Sequence, residues 1–163
     1  MKLILCSGCD NFHIDPRDLV GTWEHWHVVV NWSQNYLGKL MLVLRRHATD
    51  VTALTPAEQA ELWRLLGDVK TALLGAFQPD HFNYAFLMNL DAHVHMHIIP
   101  RYAQPQVFAG MTFTDGRLGQ HYDLGSRIVP VALRQTIALA LRGQGLDPNR
   151  LRERGLGDAG VAS

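Results

Sequence analysis

The chain has little cysteine, no excess charge of either sign and no long apolar run. Two Cys in 163 residues do not build a disulfide framework. Fifteen Lys+Arg against fifteen Asp+Glu give a formal net charge of zero, which removes the electrostatic case for a general nucleic-acid or anionic-membrane binder. It leaves room for a small phosphorylated ligand, which needs only a local pocket. No apolar run approaches the roughly 18 residues of a membrane span. The apolar start at Leu3–Leu5 is too short for a signal peptide. A cytoplasmic protein is the expectation.

What is present points to a folded α+β domain. Apolar residues make up 47% of the chain, enough for a core. Residues 23–32 (WEHWHVVVNW) and 40–45 (LMLVLR) are β-branched, aromatic or apolar and read as two antiparallel strands joined by a turn. Thr55-Pro56-Ala57-Glu58 is a helix start with a capping box. Leu62, Leu65, Leu66, Val69 and Leu73 then fall on one helical face, and Gly75 and Pro79 bracket the expected stop. Residues 82–89 and 93–102 read as a hairpin turning at 90–92, residues 104–125 as irregular, and 131–142 as a second helix. The expectation is one domain over 1–142 and a mobile tail over 143–163. Two strands, a helix, two strands and a helix predict an antiparallel sheet covered on one face by the long helix.

Nine His stand out, and three of them alternate: His93, His95 and His97, separated by Val94 and Met96. Strand side chains alternate faces, so the three rings share one face, roughly 7 Å apart, while Val94 and Met96 enter the core. Three aligned imidazoles need partners for six ring nitrogens. Two chemistries fit. His at i and i+2 can share a metal. Alternatively, a neutral imidazole attacks phosphorus while a neighbour assists the leaving group. Spacing alone does not separate these.

The run His93-Val94-His95-Met96-His97-Ile98-Ile99, followed by Pro100-Arg101, resembles the motif of the histidine-triad (HIT) family. The likeness extends over residues 22–102, including Arg46-His47 and the Leu54-Thr55-Pro56-x-Glu58 helix start. It implies a meander of antiparallel strands with two helices, a homodimer, and nucleotidyl transfer without a required cofactor. By resemblance, His95 is the nucleophile toward the α-phosphorus. His97 contacts the phosphate and helps the leaving group, and His93 sets the tautomer and orientation of the triplet. A nucleotidyl-histidine would form, and water would release a nucleoside monophosphate. A third His rather than Gln resembles the hydrolase branches, which suggests dinucleoside polyphosphates or related adenylylated compounds as substrates. A binding protein with little turnover is the alternative.

Asn31 matches the family's ribose-contacting Asp/Asn, and Asn89 a phosphate-side Asn. At Lys39 many members carry a His that hydrogen-bonds into the triad; a Lys can offset phosphate charge but cannot relay a proton as imidazole does. The two-residue gap of Cys6 and Cys9 lets both thiolates reach one zinc. By resemblance to zinc-binding members, His47 and His93 would complete that structural site. Trp26, Trp32 and Tyr36 lie near Asn31 as a candidate stacking wall or as core. His13, His25, His27, His81 and His121 receive no role.

Overall fold

The computed structural model describes residues 14–149. Seven strands and two α-helices follow one another: β1 (Leu19–Thr22), β2 (Trp26–Val30), β3 (Leu40–Leu44), α1 (Pro56–Phe77), β4 (His81–Ala85), β5 (His95–Arg101), β6 (Gln106–Phe108), β7 (Met111–Phe113) and α2 (Val131–Gly143). The first five strands form one antiparallel sheet in the order β1-β2-β3-β5-β4, and β6 and β7 form a separate hairpin. This is the expected α+β architecture.

The sheet has two chemically different faces. Trp26, Val28 and Val30 of β2, Leu40, Leu42 and Leu44 of β3, and Met96 and Ile98 of β5 are buried in the core with Leu62, Leu65, Val69, Leu73 and Phe77 of α1. On α2, Leu133, Ile137, Ala138 and Leu141 join the same core. Period two along the strands sends the intervening residues to the opposite face. These are Val29, Lys39, Met41, Val43, His95 and His97, and they line an open cleft.

The start of α1 is the capping box that the sequence predicts. Thr55 Oγ1 accepts from the Glu58 N–H, and Glu58 Oε2 accepts from the Thr55 N–H at 2.7 Å. Arg46 closes on the same carboxylate, with Nη2 to Oε2 at 2.8 Å and a shorter contact from Nε. The Arg46 hydrogen bond, outweighing burial, pulls the Glu58 carboxyl down to about 2. Its stabilisation is therefore complete above the ordinary value of 4.5 and fades as pH falls toward 2. We expect Glu58→Ala to lower the unfolding free energy at pH 7 by about 1–3 kcal/mol in urea titration. A loss under about 0.5 kcal/mol would mean that the cap and ion pair are replaced by water.

Several boundaries differ from the sequence reading. The strand expected over 82–89 stops at Ala85, and Met88 takes a positive φ of 45° that ends extended structure. Its connection to β5 is a nine-residue loop, 86–94, rather than a tight turn. The expected strand at 93–102 begins at His95, because the Val94 N–H bonds back to Ala48 O at 2.8 Å. The first strand is Trp26–Val30 alone, and β1 before it was not anticipated: four residues interrupted by Gly21 carry a weak strand signal. The long helix, by contrast, stops at Phe77, between Gly75 and Pro79 as expected. Within 104–125, read as irregular, β6 and β7 turn through Ala109 and Gly110 at φ 48° and 77°. Leu146, assigned by the sequence to the tail, is 1% exposed and packs in the core. Among the described residues no helix is long and apolar enough to cross a membrane.

Candidate functional site

The cleft has a volume of about 840 Å³. Its floor is the polar-facing side of β2, β3 and β5. The register fixes who meets whom: Val43 lies opposite His95, and Met41 opposite His97. Walls come from the 86–94 loop on one side and residues 122–126 on the other.

His95 is half-buried, and its Nδ1 donates to the main-chain carbonyl of His93 at 2.8 Å. A carbonyl only accepts, so Nδ1 carries a proton, and the neutral form of the ring is the tautomer whose lone pair is on Nε2. The His97 ring stands edge-on to His95, with centroids 5.0 Å apart and planes at 78°. Burial first, then the His95 and Lys39 charges, push His97 down to about 4. It is therefore neutral at physiological pH. Its Nδ1 is buried without a hydrogen-bond partner.

His93 behaves differently. It precedes the strand, is 1% exposed, and its ring Nε2 bonds to the Leu44 carbonyl. Burial lowers its pKa, against the pull of that carbonyl. Its ring lies 5.6 Å from that of His47, tilted by 48°. The His93 main-chain carbonyl, not its ring, orients His95. Among the described residues no three His, Cys, Asp or Glu side chains converge on a metal position, so the reading of the triplet as a three-ligand metal centre has no geometry behind it.

A profile of the HIT domain matches residues 14–104, more than half the chain. The chain belongs to the HIT family.

A hypothetical histidine triad nucleotide-binding protein from Sulfolobus tokodaii superposes with a TM-score of 0.63 at 16% identity, over 89% of this chain and 91% of that one. A histidine triad protein from Bradyrhizobium japonicum is 27% identical with a TM-score of 0.59, over 81% and 96%. A zinc-bound histidine triad family protein from Mycobacterium smegmatis is 15% identical with a TM-score of 0.57, over 86% and 89%. Comparison with curated protein sequences returns no match. HIT membership supports a nucleotide-binding or nucleotide hydrolase/transferase function.

In this HIT fold the remaining expected residues are placed as follows. Asn31 directly follows β2 inside the cleft, 3% exposed, and its Oδ1 accepts from the Ser33 N–H at 2.8 Å. Its amide NH₂ is the group left to reach a ligand. Asn89 is exposed on the 86–94 loop at the cleft edge. Lys39 lines the cleft beside β3, with Nζ 3.3 Å from Asn35 Oδ1. Desolvation lowers its pKa, opposed by Asp123. Gly38 before it sits at φ 76° against the Phe77 ring, a place for no side chain, so the Lys39 main chain is tightly set. Cys6 and Cys9 lie outside the described residues.

Of the three aromatic candidates only Trp32 borders the cleft, 49% exposed. Trp26 is core, donating from Nε1 to the Glu58 carbonyl at 3.0 Å. Tyr36 is buried, and its hydroxyl accepts from the Asp123 N–H at 2.7 Å. The sequence reading left open whether 104–130 closes over the pocket or meets a dimer partner, and named no residue of the wall at 122–126. Asn35 Nδ2 holds the Asp123 carbonyl at 2.9 Å, and the Arg127 N–H donates to Ser33 Oγ at 3.0 Å. These contacts span about ninety positions of sequence, and no local pattern signals them. The apolar floor at Met41 and Val43 was legible from the alternation that places Lys39.

Proposed function

We propose that this HIT protein is a nucleotide hydrolase working through a covalent nucleotidyl-histidine on His95. The observation that carries it is the 2.8 Å bond from His95 Nδ1 to the His93 carbonyl, which leaves Nε2 as the nitrogen that faces a substrate in the cleft. Nε2 attacks the α-phosphorus of a dinucleoside polyphosphate or related adenylylated compound, and water then releases the nucleoside monophosphate. His97, neutral and adjacent, lies against the phosphate oxygens. The Asn31 amide serves the ribose, and Asn89 the phosphate side. No cofactor takes part in these steps. The partner is a small nucleotide, and a homodimer in the cytoplasm is part of the same reading. Rapid quench into alkaline denaturant, in which a P–N bond survives, during turnover of a dinucleoside polyphosphate, followed by mass spectrometry, should find one nucleotidyl unit on His95. Its absence under conditions of steady turnover overturns the covalent route.

Lys39, standing where many members have a relaying His, favours a second reading as a nucleotide sensor with little turnover. Tight nucleoside monophosphate binding without hydrolysis of a substrate panel would support it.

We also propose a structural zinc held by Cys6, Cys9, His47 and His93. The neighbouring His47 and His93 rings, with centroids 5.6 Å apart, support it. Bound there, zinc would supply folding stability rather than chemistry. Chelation should lower Tm by several degrees, and added zinc should restore it. A Tm indifferent to both removes the site.

A further inference from the structure

Four carboxylates line the cleft, Asp15, Asp18, Asp91 and Asp123, but among its described lining residues Lys39 is the sole Lys or Arg. Asp15 is engaged by Arg17 and Asp18 by Arg134, outside the cleft lining. A nucleotide with more than one phosphate brings several negative charges into this space. With no net charge on the chain, the compensating cation has to be local.

Lys39 is built for that place. The Gln34 side chain, fully buried, donates from Nε2 to the Lys39 carbonyl at 2.7 Å and accepts at Oε1 from the Gly38 N–H at 3.0 Å. The Asn31 N–H also donates to the Lys39 carbonyl, at 3.0 Å. One stretch of backbone thus sets both the ribose-side Asn31 and the ammonium. Leu40 lies opposite Ile98, so Lys39 projects onto the same face as His97.

Resting on the hydrolase reading, we infer that Lys39 selects the leaving group, restricting efficient turnover to phosphoanhydrides, whose leaving group departs as a phosphate anion. The Nε2 lone pair forms the N–P bond. The bridging O–P bond breaks, and its electron pair leaves on the phosphate oxygen, where the ammonium meets the charge. No proton has to be delivered. Water then attacks phosphorus, the N–P bond breaks with its electrons returning to Nε2, and the water proton passes to solvent. A phosphoramidate is different, because its amine departs only after gaining a proton. Lys39 has no acceptor with which to pass one along a relay. His97 Nδ1 is buried and without a hydrogen-bond partner, so among the described residues no side chain is wired to it as a relay.

The test compares kcat/KM for a dinucleoside tetraphosphate and for a nucleoside 5′-phosphoramidate with an alkylamine leaving group. The unaltered chain should prefer the anhydride. Lys39→Met should lower anhydride turnover by about 10- to 100-fold and phosphoramidate turnover by less than about threefold. Lys39→Arg should keep the preference, and Lys39→His should move it toward the phosphoramidate. Binding of nucleoside monophosphate by each variant checks that the cleft is intact. Equal losses on both substrates in Lys39→Met overturn the inference while leaving the hydrolase reading standing. An unaltered chain that turns over neither substrate overturns the hydrolase reading itself.

Discussion

His95→Ala is expected to lower kcat by about four orders of magnitude or more, with little change in the affinity for nucleoside monophosphate. The expectation separates binding from chemistry. Asn31, Lys39 and the cleft walls remain, so the product still finds its subsites. On the proposed covalent route, what disappears is the nitrogen that divides one difficult displacement into two easier ones. Neither neighbour can take its place. His93 commits Nε2 to the Leu44 carbonyl and is buried, and no carbonyl fixes the tautomer of His97 as the His93 carbonyl fixes that of His95. His97→Ala should be milder, about a hundredfold, because it removes assistance rather than the attacking atom. Held down to about 4, His97 contributes no inflection to the rate profile between about pH 5 and 8. Turnover of a dinucleoside polyphosphate followed by product chromatography, alongside calorimetric binding, measures both quantities. A His95→Ala chain that retains more than about a tenth of wild-type kcat would sink the assignment of the nucleophile.

How much of this was legible beforehand follows the range of the interaction involved. The capping box at Thr55 and Glu58 is a four-residue pattern, and it forms as read. The alternation of His95, Met96, His97 and Ile98 is a two-residue pattern, and it puts imidazoles in the cleft and aliphatics in the core. The same logic fails one step earlier, at His93. Period two assumes that a strand is already under way, but the chain enters β5 only at His95, after Val94 has bonded back to Ala48. His93 therefore turns to Leu44 and His47, and its carbonyl rather than its ring serves the triplet. The strands β1, β6 and β7 are each four residues or fewer, and they carry too few positions to register as a period. Segment 114–130 was unreadable for another reason. Its order comes from single polar side chains reaching across the fold, of which Arg101 is the most consequential.

Arg101→Met is expected to cost about 3–5 kcal/mol of unfolding free energy. The Arg101 side chain is 2% exposed, and that of Asp115 is fully buried. Arg101 Nε donates to Asp115 Oδ2 at 2.6 Å and Nη2 to Oδ1 at 3.0 Å, a two-pronged pair. The remaining donors reach Asn83 Oδ1 at 2.8 Å and the Arg117 carbonyl at 2.6 Å, and the guanidinium lies 5.2 Å over the Tyr36 ring. One cation thus ties β4, β5 and the 115–120 loop to the residue that holds Asp123 at the cleft wall. Burial pushes the Asp115 carboxyl up, but the Arg101 hydrogen bonds and charge outweigh it and keep it ionised. Removing the guanidinium leaves that carboxylate buried and unpaired, which is the costly event. Much of the loss should therefore return in Arg101→Met with Asp115→Leu, where neither charge is left. Urea titrations of the two single variants and the double variant decide the matter. Additive losses would mean that the residues act separately. The double variant should still show a raised KM, because stability can be restored by apolar packing whereas the placement of residues 122–126 at the cleft wall depends on the polar tie itself.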